Sequence, residues 1–131
     1  MKPKKYVDYY EDSHLEEWKL PNGELHREDG PARIGYYKDG NKQSEQWFKN
    51  GKCHREEGPA YTSLEEDGTI IVEMWEIDGS WHREDGPAIM WYNAGGNVRI
   101  VEYYVKGKKL TEEEWEIARL PDTKIKRALY S

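Results

Sequence analysis

Cysteine is nearly missing from this chain: Cys53 is the only one in 131 residues. A lone thiol excludes an internal disulfide, and without a second cysteine there is no thiolate zinc knuckle. Phenylalanine also occurs once, and Leu, Ile, Val and Phe together make up about a sixth of the residues, a share that ordinarily marks disorder. Long apolar runs are absent as well. No stretch approaches the roughly 18 residues of a membrane-spanning helix, so no membrane partner is expected. The opening Met1-Lys2-Pro3-Lys4-Lys5 has no apolar segment behind it. No secretory signal is therefore expected, and the expected location is the cytoplasm.

Aromatic residues supply what the aliphatics do not. There are 6 Trp and 10 Tyr, and each such ring buries roughly 150–250 Å². An ordered protein with an aromatic core is the expectation. Its net charge is −6, unevenly distributed: residues 1–5 carry +3, residues 119–131 carry +3, and the body between them carries −12. An acidic body repels phosphate backbones and anionic lipid, which argues against nucleic acid as a partner; the acidity serves solubility or, on a sharper reading, attracts a protein with a basic surface.

Internal self-similarity is the most informative feature. Leu25-His26-Arg27-Glu28-Asp29-Gly30-Pro31-Ala32 returns as Cys53-His54-Arg55-Glu56-Glu57-Gly58-Pro59-Ala60 and as Trp81-His82-Arg83-Glu84-Asp85-Gly86-Pro87-Ala88. The period is 28 residues both times. Gly23, Gly51, Gly79 and Gly107 form one glycine series, and Gly40, Gly68 and Gly96 form another. Trp47, Trp75 and Tyr103 keep the period, whereas Trp18 sits one residue out of step.

Asn22-Gly23, Asn50-Gly51 and Asp78-Gly79 are tight-turn signals, and Asp39-Gly40, Asp67-Gly68 and Gly95-Gly96 mark turns at the other end. Runs such as Thr69–Trp75 and Val98–Tyr104 between them favour strands. The predicted fold is mainly β: an antiparallel meander of three 28-residue hairpin repeats with a short C-terminal helical cap. A single domain spans 1–131, with a lead-in over 1–17, repeats at 18–46, 47–74 and 75–103, and a last strand and cap over 104–131. A strand is expected around Tyr6–Tyr10. Thr111-Glu112-Glu113-Glu114 reads as a capping box, Pro121 as the helix stop, and Asp122–Tyr130 as a second short helix.

Alternation sorts the strand after each Gly-Pro into two faces. Ala32, Ile34 and Tyr36 match Ala60, Thr62 and Leu64 and then Ala88, Met90 and Tyr92, as a shared core layer would. The other face differs between copies. Arg33, Tyr37, Tyr61, Ile89 and Trp91 lie on it and are the candidate protein-binding residues, since Trp, Tyr and Arg dominate hot spots. Two readings stay open for that face, an exposed stripe or a second core under a terminal segment. Open sheet edges also allow self-association.

Catalysis finds little support. Equivalent histidines two strands apart lie roughly 10 Å from each other, too far for His26, His54 and His82 to share a metal ion. No Gly-x-Ser-x-Gly, dinucleotide fingerprint or Walker motif is present. Cys53 aligns with Leu25 and Trp81, so it reads as a packed thiol. No catalytic residue, metal or cofactor is predicted. An alternative reading gives His26, Arg27, His54, Arg55, His82 and Arg83 to an anionic, nucleotide-like ligand, with arginine forks on its phosphates.

The His-Arg-Glu-Asp-Gly-Pro-Ala motif, the flanking Trp-x-x-Asn/Asp-Gly and the closing Gly-Lys-Lys-Leu-Thr-Glu-Glu-Glu-Trp resemble the HREDGPA-type repeats common in bacteriophage and giant-virus proteins, which are similar to MORN-type β-hairpin repeats. The resemblance covers roughly 18–115. It implies a stacked-hairpin sheet, a phage origin and action in the bacterial cytoplasm. On that basis the chain is expected to be a non-enzymatic protein that inhibits or redirects a host factor, such as a defence protein. The unit here exceeds a standard MORN unit by the His-Arg-Glu-Asp loop, so membrane or phosphoinositide binding does not carry over.

Overall fold

A computed structural model describes residues 2–120. The expectations for Pro121 and for a helix over Asp122–Tyr130 lie outside the described residues. The strands are β1 (Lys4–Tyr9), β2 (Ser13–Lys19), β3 (Arg33–Tyr37), β4 (Lys42–Gln46), β5 (Phe48–Lys49), β6 (Lys52–Cys53), β7 (Tyr61–Leu64), β8 (Ile70–Met74), β9 (Glu76–Ile77), β10 (Ser80–Trp81), β11 (Ile89–Tyr92), β12 (Val98–Val105) and β13 (Lys108–Leu110), followed by helix α1 (Glu112–Ala118). The described residues are mainly β, an antiparallel open sheet followed by one short helix.

Nine strands form the main sheet in the order β1-β2-β3-β4-β7-β8-β11-β12-β13. The omitted strands make two small hairpins, β5-β6 and β9-β10. Each continues a main-sheet strand past a tryptophan: Trp47 lies between β4 and β5, and Trp75 between β8 and β9. β12 does the same without a break. It pairs with β11 through Glu102 and with β13 from Tyr103.

Turn chemistry sets these corners. The small hairpins turn on Asn50-Gly51, Asp78-Gly79 and Lys106-Gly107, all with positive φ, from 48° to 83°. Two consecutive left-handed residues give a type I′ turn, whose twist matches that of the flanking strands. Asn and Asp tolerate this region, whereas Lys106 (φ 52°) has no such local compensation. Asn22 is different. Only Gly23 is left-handed there, and Leu20 and Glu24 close a wider turn. This is the physical form of the extra residue ahead of the first motif.

Register shifts fall at Gly35/Tyr36, Ser63/Leu64 and Trp91/Tyr92. They leave Gln43, Ile71 and Arg99 as the extra residues of β-bulges. Each bulge lies beside a main-sheet turn, where strands twist most. Strict alternation therefore holds only up to the bulge.

The core is thin. Ala32, Ala60 and Ala88 are fully buried, Ile34 is nearly so, and Trp115 is the buried residue of α1. Val72 and Ile89 are each 3% exposed and lie on the other side of the sheet. Both faces of the sheet therefore carry buried residues, and at Ile89 the variable face is core rather than exposed stripe. β1, the predicted lead-in strand, is exposed along its whole length and forms one edge of the sheet. Among the described residues no helix is long and apolar enough to cross a membrane.

Candidate interaction surface

The motif's letters are explained by contacts around a ladder of rings. The registers place Trp18, Ala32, Trp47, Ala60, Trp75, Ala88 and Tyr103 side by side across the sheet. Trp18, Trp47 and Trp75 each donate a backbone N–H to the carbonyl of Ala32, Ala60 and Ala88, at 2.7–2.8 Å. Large rings alternate with methyl groups, so each alanine disappears beneath its neighbours. A larger side chain at those positions would push the rings apart.

Arginine lies over each tryptophan of the ladder. The guanidinium carbons of Arg27, Arg55 and Arg83 sit 3.9, 4.0 and 3.9 Å from the ring centres of Trp18, Trp47 and Trp75. Each guanidinium also donates to the carbonyl of Pro31, Pro59 or Pro87, at 3.1–3.2 Å. Asp29 and Asp85 accept from Nε of Arg27 and Arg83. Glycine follows because the guanidinium packs on its Cα. A Cβ at Gly30, Gly58 or Gly86 would lie 2.9, 2.8 or 2.6 Å from the arginine's Cζ.

Histidine joins neighbouring hairpins. Nδ1 of His26, His54 and His82 accepts the N–H of Asn50, Asp78 and Lys106, at 2.8–3.0 Å. These are the left-handed turn residues of the following hairpin. An acceptor at Nδ1 puts the ring proton on Nε2, which faces Glu28, Glu56 or Glu84 at 3.5–3.7 Å. Backbone bonds reinforce the joint: Arg27, Arg55 and Arg83 donate N–H to Phe48, Glu76 and Tyr104.

Open grooves lie between successive loops. One of about 450 Å³ is lined by Arg27, Trp47, Arg55 and the carboxylates of Glu28, Glu56 and Glu57. Another of about 740 Å³ is lined by Arg55, Trp75, Arg83, Glu56, Glu57 and Glu84. His54 and His82 border the two grooves. Both grooves hold at least as many acids as guanidiniums, and the guanidiniums are already hydrogen-bonded. The Trp47 Nε1 group is buried without a partner among the described residues.

Acid–phenol pairs occupy the same side of the sheet. The Tyr36 hydroxyl donates to Glu16 at 3.0 Å and the Tyr92 hydroxyl to Glu73 at 2.5 Å. Burial and these glutamates push both phenols up to about 12. Burial also raises Glu16, but hydrogen bonds from Lys5 and Tyr36 outweigh it and hold that carboxyl low. Burial and the neighbouring Glu76 drive the Cys53 thiol far above its ordinary range, which disfavours the reactive thiolate. Among the described residues no group of three or more His, Cys, Asp or Glu side chains could hold a metal ion.

The five variable-face residues do not form one exposed stripe. Arg33, Tyr61 and Ile89 share a row, with Gln46 and Met74 between them. At ~4.8 Å per strand, Arg33 and Ile89 are roughly 19 Å apart. Ile89 is 3% exposed, so it belongs to the core and not to a docking surface. Arg33 is half-buried and pairs with Glu17 at 3.2 Å. The Tyr37 hydroxyl is spent on the Leu64 carbonyl at 2.7 Å. Tyr61 is half-buried.

Trp91 is exposed, and Ile100, its direct opposite on β12, is exposed with it. Sequence reasoning passed over Ile100. Its signal was its place in the strand run Val98–Tyr104, which ends up beside an edge of the main sheet. No protein-family model, curated protein or solved structure matches the chain.

Proposed function

We propose that this chain is a non-enzymatic protein-binding module, built from three 28-residue repeats of the HREDGPA type. Its docking surface is centred on Trp91 and Ile100. In the bacteriophage setting that the repeat resemblance implies, it acts in the bacterial cytoplasm by inhibiting or redirecting a host protein, such as a defence factor.

The observation that carries this reading is the contrast between two sets of residues. His26, His54 and His82 cap turns, and Arg27, Arg55 and Arg83 cover tryptophans. Those groups are occupied in holding the sheet together. Trp91 and Ile100, at 37% and 41% exposure, are large apolar groups paired across strands and open to solvent. An exposed aromatic anchor with an aliphatic neighbour suits a hot spot. The acidic body steers it toward a partner with a basic surface. The anionic-ligand reading is the weaker one, because each groove would set the ligand's charge against carboxylates.

The test is affinity capture from bacterial lysate with wild type and a Trp91→Ser/Ile100→Ser variant, followed by titration of the purified captured protein. Ile89 stays unchanged, since its replacement would open the core. A partner whose affinity falls by about tenfold or more in the folded variant supports the reading. Equal binding by both forms, or no partner together with tight retention of a nucleotide, overturns it.

A further inference from the structure

The opposite end of the sheet carries a second surface. Among the described residues β1 is paired on one side only, with β2, and all six of its residues are exposed. Tyr10 donates its N–H to Ser13 at 2.8 Å, which fixes the direction of the backbone groups along β1. By alternation, Asp8, Tyr6 and Lys4 turn their N–H and C=O groups toward β2. Those of Lys5, Val7 and Tyr9 turn outward.

An antiparallel partner strand must set outward residues against outward residues. For a second copy of β1 this leaves few registers. One of them places Lys5 opposite Val7, Tyr6 opposite Tyr6, and Lys4 opposite Asp8. It forms two ion pairs related by symmetry, and it stacks two phenol rings at the centre. Lys5 needs no new partner, because its ammonium already sits 3.1 Å from Glu16. The tyrosine is already ordered on its other side, with Lys19 Nζ 5.7 Å from its ring centre. Opposite charges and aromatic pairs directly across strands are the pairings that stabilise sheets.

We propose that β1 is a dimerisation edge, on which two copies of this chain join antiparallel about a two-fold axis at Tyr6, with Lys4 of each copy facing Asp8 of the other. The sheet then runs unbroken through both copies. The interface is isologous, so it closes at two copies and does not extend into fibres. The Trp91–Ile100 patches lie toward the far ends of the doubled sheet, which makes the assembly bivalent toward a partner.

Sedimentation across a concentration series tests this. The wild type is expected to move from 15.5 kDa toward twice that mass as concentration rises. Val7→Pro removes an outward N–H that β2 does not use, so the monomer should fold while the dimer is lost. Asp8→Lys puts lysines opposite each other and should weaken dimerisation by about tenfold or more. The swap Lys4→Asp/Asp8→Lys should restore it. Tyr6→Cys should form a disulfide-linked dimer under mild oxidation, because opposed residues at such a position lie about 4.5 Å apart between Cα atoms. A monomer at every concentration overturns the proposal. So does a dimer that survives Val7→Pro, which would place the contact at the β12 edge or elsewhere.

Discussion

Gly58→Ala tests the account of the motif most directly. The new methyl would lie 2.8 Å from Arg55 Cζ, 2.9 Å from Nη1 and 3.0 Å from Nε. The guanidinium has no room to retreat, because the Trp47 ring centre is 4.0 Å from it. Arg55 must therefore leave the ring and give up its bond to Pro59. The cation–π contact contributes about 0.5–2 kcal/mol, and the charge-assisted hydrogen bond about 1.5 kcal/mol where solvent is near. Against that, alanine stiffens the unfolded chain, a gain of about 0.4–1 kcal/mol. The net loss is about 2 kcal/mol, or roughly 6–10 °C in Tm for a chain of this size. The assay is thermal or urea denaturation followed by tryptophan fluorescence, run as a double-mutant cycle with Arg55→Ala. In the Arg55→Ala background the methyl has space, so Gly58→Ala should be neutral or stabilising by about 0.5 kcal/mol. Equal destabilisation in both backgrounds would show that the backbone, not the arginine, demands glycine there, and the contact argument would fail.

Two further outcomes follow from local geometry. Lys106 holds φ at 52° where the matching turns have Asn50 and Asp78, so Lys106→Asn should stabilise the protein by about 0.5–1 kcal/mol in the same denaturation assay. Tyr36 and Tyr92 should release their protons near pH 12 in an ultraviolet phenolate titration. Because the folded pKa is the higher one, their contribution to stability is complete below about pH 10 and declines as pH rises toward 12. Glu73→Gln should bring the Tyr92 transition down and leave Tyr36 unchanged.

How much of this was legible in the sequence can be argued residue by residue. Turns were legible, because Asn50-Gly51 and Asp78-Gly79 carry their backbone preference locally. The helix was legible for the same reason. Thr111 and Glu114 satisfy each other's N–H groups within one turn, as the capping box predicts. The 28-residue recurrence identified the slots of His26, Arg27 and Gly30 as special but not what fills them. His26 meets Asn50 across 24 residues, and no local pattern reports such a contact. At Ile89 the sequence left open whether the variable face was an exposed stripe or a second core, because alternation assigns a side and not a depth. Burial there depends on which neighbours close over the strand, and Val72 and Ile89 lie among β7, β8, β11 and β12.

By itself, then, the sequence determined the strand-and-turn alphabet, the antiparallel mainly β class, the capped C-terminal helix and the acidic body, since each of these rests on short-range chemistry or on composition. Tertiary structure alone decided that the repeated arginines are spent on tryptophans, that the histidines join hairpins, and that Trp91 is open while Ile89 is closed. Those outcomes depend on distances between residues far apart in the chain, which the register of the sheet fixes and composition does not record.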